Sequence, residues 1–336
     1  MTTDHAVDVV AVDQVNSARR AAAEVAREAG FNSEDEGRVA LVATELATNL
    51  VKHGRGGRVL VGALASEGRR GVRVMALDQG PGIRDIARSM EDGISSAGSP
   101  GTGLGAIRRQ SDRFDLWSRP DQETVVLAHL WSRERATNPT QEEDVSVGGV
   151  CVPVRGEEVC GDGWSVVDQN GTRTVLVTDG VGHGPEAQRA TSRARELFER
   201  SAARAPAEIV EVLHAGMRST RGAAVAVVRI ERDEPDITFC GIGNIAGCIL
   251  DGERPRNLVS HHGTVGHDLK RVHEFQYPFL PGATMVLNSD GLTTQWELDS
   301  YLGLLQRHPS VVASILYRDF RRERDDATAV VVRRRA

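Results

Sequence analysis

Lysine is nearly absent from this chain. Lys52 and Lys270 are the only two among 41 basic residues. Neither stands in a Gly-Lys-Ser/Thr arrangement, so a phosphate-cradling P-loop is excluded. Cysteine is scarce too. Cys151, Cys160, Cys240 and Cys248 show no Cys-x-x-Cys pairing and no zinc-ligand rhythm, which leaves reduced, mostly buried thiols without an assigned role. No apolar run approaches the roughly 20 residues that a membrane helix requires. The start, Met1-Thr-Thr-Asp-His, carries acid where a signal peptide carries base, and no apolar stretch follows. A cytoplasmic protein with no membrane association is expected. The net charge of -6 lacks the surplus of positive charge that phosphate-backbone binders concentrate on one face, so no nucleic-acid partner is expected.

What is present points to two globular domains. A length of 336 residues, with 40% hydrophobic and 26% charged residues, is long for one core and comfortable for two. Apolar periodicity predicts a helix over 14–29 and a second over 33–53. In the second, Val39, Val42, Leu46 and Leu50 form the stripe, and Ser33 with Glu36 reads as a capping box. Strands follow over 58–65 and 71–77, then a Gly, Ser and Pro-rich stretch over 93–105, a short helix, and strands over 114–118 and 123–131. The charged, aperiodic segment 133–144 reads as a linker. The expected division is therefore 1–132, a linker over 133–144, and 145–336. The second part shows an Asn170-Gly171 hairpin between strands, helices over 186–203 and 206–219, more strands, and a helix over 309–323 before a last strand.

The first part carries a candidate nucleotide site. Glu45 and Asn49 are four apart on a helix and project to one side. An amide oxygen suits Mg²⁺ beside triphosphate oxygens, and a carboxylate one turn away can take the proton of an incoming hydroxyl. Asp78 ends a strand before two glycines, where a carboxylate can accept from an adenine amino group. Gly101, Gly103 and Gly105 open the next helix.

Taken in order, Glu-Leu-Ala-Thr-Asn-Leu-Val-Lys-His-Gly at 45–54, Asp-Gln-Gly-Pro-Gly-Ile at 78–83 and Gly-Thr-Gly-Leu-Gly-Ala-Ile at 101–107 resemble the GHKL (Bergerat) ATPase fold, and more closely the anti-sigma switch kinases of the RsbT/RsbW type. The resemblance covers about 5–132. It implies an α/β sandwich with Glu45 as catalytic base, Asn49 as the Mg²⁺ ligand, Asp78 as the adenine reader, and Gly80, Gly82, Gly101, Gly103 and Gly105 as phosphate and lid glycines. ATP is the implied cofactor. The implied phosphoacceptor is a Ser or Thr on an antagonist protein of the STAS fold.

The second part places carboxylates after apolar runs, in Val-Leu-Val-Thr-Asp179-Gly180 and Met-Val-Leu-Asn-Ser-Asp290-Gly291, with Asp325-Asp326 ahead of a last apolar run. Acids delivered together repel one another unless cations sit between them, which specifies a hard-metal centre with oxygen ligands. Asp162, at the start of the hairpin, is a further acidic candidate. Gly161-Asp-Gly, Thr178-Asp-Gly-Val-Gly-His-Gly, Gly241-Ile-Gly-Asn, Asn288-Ser-Asp-Gly-Leu and Arg324-Asp-Asp-Ala-Thr resemble the SpoIIE/RsbX branch of metal-dependent (PPM) Ser/Thr phosphatases, over roughly 147–334.

That resemblance implies an αββα sandwich holding Mg²⁺ or Mn²⁺. Asp179 bridges the ions, the Gly180 carbonyl joins one, Asp290 and Asp325 hold the second, and Asp162 lies near the metals. Asp325 is taken ahead of Asp326, while His183, His261 and His262 are read as spacers. The two-domain α/β chain is thus expected to be a partner-switching regulator with a kinase and a phosphatase activity. A sigma factor or an upstream signalling protein is a further expected partner. The rival readings are a front domain that only binds ATP or a partner, and an anti-sigma binding protein.

Overall fold

The computed structural model describes residues 3–66, 69–90, 103–133, 144–252, 254–298 and 300–336. The chain divides into two compact units. The first is Met1–Thr140 with Leu298–Val311, and the second is Gln141–Glu297 with Val312–Ala336.

The first unit opens with β1 (His5–Val9), α1 (Val12–Glu28) and α2 (Ser33–Lys52), followed by β2 (Gly57–Ser66) and β3 (Arg69–Asp78). A four-residue α3 (Ile86–Ser89), α4 (Leu104–Gln110), β4 (Arg113–Arg119) and β5 (Glu123–Trp131) complete it. The strands form one antiparallel sheet in the order β1-β2-β3-β5-β4. Both long helices bury stripes spaced three and four apart, Ala18, Ala22, Val25 and Ala26 on α1 and Val39, Val42, Leu46 and Leu50 on α2. These stripes join Val59, Val61, Val72, Val74, Val126 and Ala128 of the sheet in one core.

The start of α2 corrects one expectation. The cap is Asn32, whose side chain accepts from the Asp35 amide at 2.8 Å, one residue before the expected Ser33. Glu36, freed from the capping box, pairs instead with Arg27 at 2.9 Å. β1 was not legible as a strand because its five residues alternate weakly and leave three exposed.

Because a strand sends alternate side chains to opposite faces, the same sheet carries a second buried layer. Leu60, Met75, Leu127 and Trp117 belong to it. The unexpected segment Leu298–Val311, here called the strap, lies against this face. The Trp117 indole donates to the Leu302 carbonyl at 3.0 Å, the His308 amide donates to Asp115 at 2.6 Å, and His129 meets His308 edge to face at 4.9 Å. The segment 145–336 is therefore not one continuous compact unit. Apolar sheet surface has drawn a piece of the later chain onto the earlier one.

The second unit contains two five-strand paths. Its strands are β6 (Val145–Val152), β7 (Asp162–Gln169), β8 (Thr172–Gly180), β9 (Ala223–Glu231), β10 (Asp236–Ile242), β11 (Ala246–Leu250), β12 (Arg256–Asn257), β13 (Ser260–His261), β14 (Phe275–Pro278), β15 (Thr284–Asn288) and β16 (Ala327–Arg334). One path runs β13-β10-β9-β8-β7 with β14 beside β10, and the other runs β12-β11-β15-β16-β6. The β7–β8 turn uses Asn170 and Gly171 at φ of 52° and 78°, the left-handed pair of a two-residue hairpin. Helices α5 (Pro185–Ser201) and α6 (Pro206–Gly216) cover the first sheet through Ala190, Ala194, Phe198, Ile209 and Leu213. Helix α7 (Pro309–Phe320) leads from the strap back towards β16.

Inside the first unit Arg73 is fully buried and pairs with the buried Asp4 through Nη2 at 2.6 and 2.8 Å. Its Nε and Nη1 have no hydrogen-bond partner among the described residues. Removing the carboxylate strands a charge away from water. Asp4→Ala is expected to lower the stability of the first unit by about 3 kcal/mol, read as a shift of its denaturant midpoint. An unchanged midpoint refutes this.

Candidate functional site

A cavity of about 870 Å³ opens in the first unit, lined by Glu45, Asn49, Asp78, Gly82 and Gly103 among others. That volume suits a ligand the size of a nucleotide. Helix α2 delivers Glu45 and Asn49 one turn apart, and Asp78 is the last residue of β3. The Asp78 carboxylate accepts from the Gly80 amide at 2.9 Å, which fixes its orientation.

Three glycines make this corner possible. A Cβ on Gly54 would stand 2.8 Å from that of Asp78, and one on Gly80 would stand 2.8 Å from the Gly54 backbone. Gly82 has φ of +63°, and a Cβ there would collide with the Arg119 carbonyl. Gly80 and Gly105 are not among the lining residues. Gly80 shapes the pocket from behind, and Gly105 is buried in α4. Gly101 lies outside the described residues.

Other lining residues carried no expectation. Lys52, His53, Arg84 and Arg88 give the cavity a basic wall, complementary to phosphate. Thr124 belongs to a small hydroxyl network, its Oγ1 at 3.0 Å from Ser118 Oγ, which accepts from the Ile83 amide at 2.8 Å. Lone basic residues spread over three segments have no spacing that a sequence pattern could register.

The second unit gathers its acids at strand ends. Asp162 and Asp179 are paired across β7 and β8. Asp290 follows β15, and Asp325 precedes β16, the antiparallel neighbour of β15. Burial pushes Asp179 up to about 7, and Asp290, Asp325 and Asp326 push in the same direction. Asp162 is raised well above the carboxylate range by burial and then by Asp179, even though Ser289 Oγ donates to it at 2.6 Å. Asp325 is raised by burial and then by Asp290.

Asp325 and Asp326 part company here. Asp326 is 2% exposed, and its two oxygens accept from the Val154 amide at 2.7 Å and the Gly161 amide at 2.6 Å. It ties loops together. Asp325 is half-buried and accepts only locally, from the Asp326 amide at 2.9 Å. Gly291 lets the Asp290 turn reach this point, since a Cβ on it would overlap the Asp326 carbonyl. Asn244, to which no role had been given, donates to Asp290 Oδ2 at 2.7 Å and also lowers the Asp179 pKa by hydrogen bonding. His183 is exposed and bonded to Glu157 at 2.9 Å.

Among the described residues no three His, Cys, Asp or Glu side chains surround a single point closely enough to ligate one ion. The acids lie within electrostatic reach of one another without converging. This suits Mg²⁺, which takes one or two carboxylates and keeps water in its other places. The donor set is all oxygen, as hard divalent cations require.

Asp179 titrates higher in the folded chain than at its ordinary 3.8, so between about pH 4 and pH 7 the folded state holds more protons than the unfolded one. Stability of the metal-free protein should therefore fall as pH rises through that window, and divalent cations should restore it. The thermal shift produced by Mn²⁺ or Mg²⁺ is expected to be several degrees, roughly 4 °C, larger at pH 8 than at pH 5. Asp179→Asn should flatten this difference. A shift independent of pH refutes it.

Comparison with known proteins finds separate matches for two stretches of the chain. Residues 10–129 match the family model of the histidine kinase-like ATPase domain, and residues 169–335 match that of stage II sporulation protein E, SpoIIE. Serine/threonine-protein kinase RsbT of Bacillus subtilis (strain 168) is 35% identical over 133 residues, 40% of this chain and 100% of RsbT. Phosphoserine phosphatase RsbX of the same organism is 27% identical over 90 residues, 27% of this chain and 45% of RsbX.

Among solved structures, a chain from work on the bacterial stressosome, a modular system adapted to control secondary messenger signalling, has a TM-score of 0.54 and 26% identity. It covers 57% of this chain and 100% of its own length. RsbX in complex with magnesium has a TM-score of 0.51 over 57% of this chain and 96% of RsbX. Its 20% identity makes it a likeness of fold. The chain belongs to the RsbT family of histidine kinase-like ATPase domains, fused in one polypeptide to a SpoIIE/RsbX-like phosphatase domain of PP2C fold.

Proposed function

We propose that the chain is a bifunctional partner-switching regulator. Its first domain transfers the γ-phosphoryl group of ATP to a Ser or Thr of a STAS-type antagonist, and its second domain hydrolyses that phosphate from the same or a linked protein. The observation that carries this reading is the presence, in one chain, of a basic-walled cavity holding Glu45, Asn49 and Asp78 and a separate set of mutually repelling carboxylates. Similarity to a kinase and to a phosphatase over separate stretches supports it.

In the first site Asp78 accepts from the adenine amino group and Asn49 offers its amide oxygen to the Mg²⁺ that accompanies ATP. Glu45 takes the proton of the incoming hydroxyl as its oxygen bonds to phosphorus and ADP departs. Lys52 and Arg88 meet the phosphates. In the second site Asp179, the Gly180 carbonyl, Asp290 and Asp325 would hold the divalent ions, with Asp162 beside them. A divalent pair bound there, Mn²⁺ or Mg²⁺, supplies charge neutralisation at the phosphate and a more acidic water. Asn244 holds Asp290 in place. Hydrolysis forms a bond from a water oxygen to phosphorus and breaks the bond between phosphorus and the seryl oxygen, which leaves carrying a proton that the water gave up.

Placing both activities on one chain raises the local concentration of each near the other's product. The antagonist's phosphorylation level then follows the ratio of two rates, with a sigma factor or another signalling assembly downstream.

Labelled ATP, a STAS protein and Mg²⁺ or Mn²⁺ test both halves together. Glu45→Ala should slow labelling by roughly 10² to 10⁴ while nucleotide binding persists, and Asn49→Ala should abolish labelling. Wild-type labelling by Glu45→Ala removes the base assignment. Asp290→Asn should abolish release of phosphate from labelled antagonist and leave its formation intact. Loss of both activities in Asp290→Asn argues against two independent sites. Release without any labelling leaves the first domain as a binding module.

A further inference from the structure

The strap interrupts the second unit between Asp290 and Asp325, the two acids assigned above to one ion, and its residues cluster with the first unit. Its anchor is the outer face of β4. Asp115, Trp117 and Arg119 alternate along that strand and all three engage it. Asp115 accepts from the His308 amide at 2.6 Å and pairs with Arg307 at 3.5 Å. Trp117 stacks on Tyr301 with centroids 5.8 Å apart and donates to the Leu302 carbonyl. The Arg119 guanidinium lies 4.7 Å from the centre of the Tyr301 ring, and its Nη1 donates to the Ser300 carbonyl at 3.2 Å.

The end of β4 also supports the nucleotide pocket. Gly82 packs against the Arg119 carbonyl so closely that no Cβ fits. The Ile83 amide donates to Ser118 Oγ, and the Asp121 amide donates to the Pro81 carbonyl at 2.7 Å. Pro81, Gly82 and Ile83 all line the cavity. Residues 118–121 are therefore gripped by the pocket loop on one side, and Arg119 among them holds the strap.

We propose that the strap is an intramolecular docking segment through which nucleotide occupancy of the first unit sets the rate of phosphate hydrolysis in the second. The inference rests on the reading of both sites given above. A ligand shifts an equilibrium only by its different affinity for two arrangements. A nucleotide touching Gly82 and Ile83 can distinguish a β4 end that grips the strap from one that has released it. Because the strap is continuous with the Asp290 turn at one end and, through α7, with Asp325 at the other, its grip constrains where those two acids sit. Chain continuity supplies the connection.

The test uses the full chain with Mn²⁺ and p-nitrophenyl phosphate, with and without saturating non-hydrolysable ATP analogue. Wild type should change its hydrolysis rate about fivefold on adding the nucleotide. Tyr301→Ala, and the milder Arg307→Gln, should hydrolyse at one rate with and without nucleotide, while fluorescent-nucleotide binding stays within about twofold of wild type. Melting within about 3 °C of wild type shows that the variants are folded. Hydrogen exchange over 300–308 should also change on nucleotide addition in wild type. Both activities present in wild type with no nucleotide response overturns this inference alone, as does a response retained by both variants. Absence of nucleotide binding or of hydrolysis in wild type overturns the functional reading and this inference with it.

Discussion

Negative charge confined away from water is the condition on which the second unit is built. Asp162, Asp179, Asp290 and Asp325 are brought within reach of one another by strand ends from two sheets, and three of them are raised above their ordinary pKa by burial and mutual repulsion. Hydrogen bonds offset part of this cost. Ser289 donates to Asp162 and Asn244 to Asp290, while Asp326 spends both oxygens on backbone amides. What remains is electrostatic demand for cations. Such an arrangement is destabilising in isolation.

Close backbone approach is the second constraint common to both units. In the pocket Gly54, Gly80 and Gly82 allow the end of α2, the Asp78 turn and the β4–β5 turn to meet. In the carboxylate site Gly161, Gly180 and Gly291 do the equivalent. A Cβ on Gly161 would come 2.9 Å from Asp326 Oδ2, and one on Gly180 would come 2.9 Å from the Gly161 carbonyl. These glycines fix where carboxylates stand. Of the six, Gly54, Gly161 and Gly291 had been quoted only as parts of motifs, because their role depends on partners distant in the chain.

The legible features were those with a local period or a local turn. The stripes of α1 and α2 and the Asn170-Gly171 hairpin follow from spacing alone. So do the positions of Asp179, Asp290 and Asp325 at strand ends, since apolar runs closed by acidic turns are visible in one dimension. Asn32 displaced Ser33 as the α2 cap because two adjacent residues of equal capping propensity cannot be ranked without the backbone. Asn244 had been quoted only as the end of a motif, whereas Thr124, Arg84 and Arg88 of the pocket were silent. Each acts through a contact across the sheet or between loops, and nothing in its own neighbourhood marks it.

The strap was illegible for the strongest physical reason, which is that its partner lies far earlier in the chain. Leu304 and Tyr301 read as ordinary residues of a loop before a helix, and only the outer face of β4 gives them meaning. Alternation along β4 places Asp115, Trp117 and Arg119 on the side away from the helical core, whereas Phe114 and Leu116 face that core. A sheet with helices on one face leaves a second apolar face that must find cover. Here the cover is drawn from the sequence between two acids of the other unit. One piece of chain therefore serves both as cover for the first unit's sheet and as part of the sequence that joins Asp290 to Asp325.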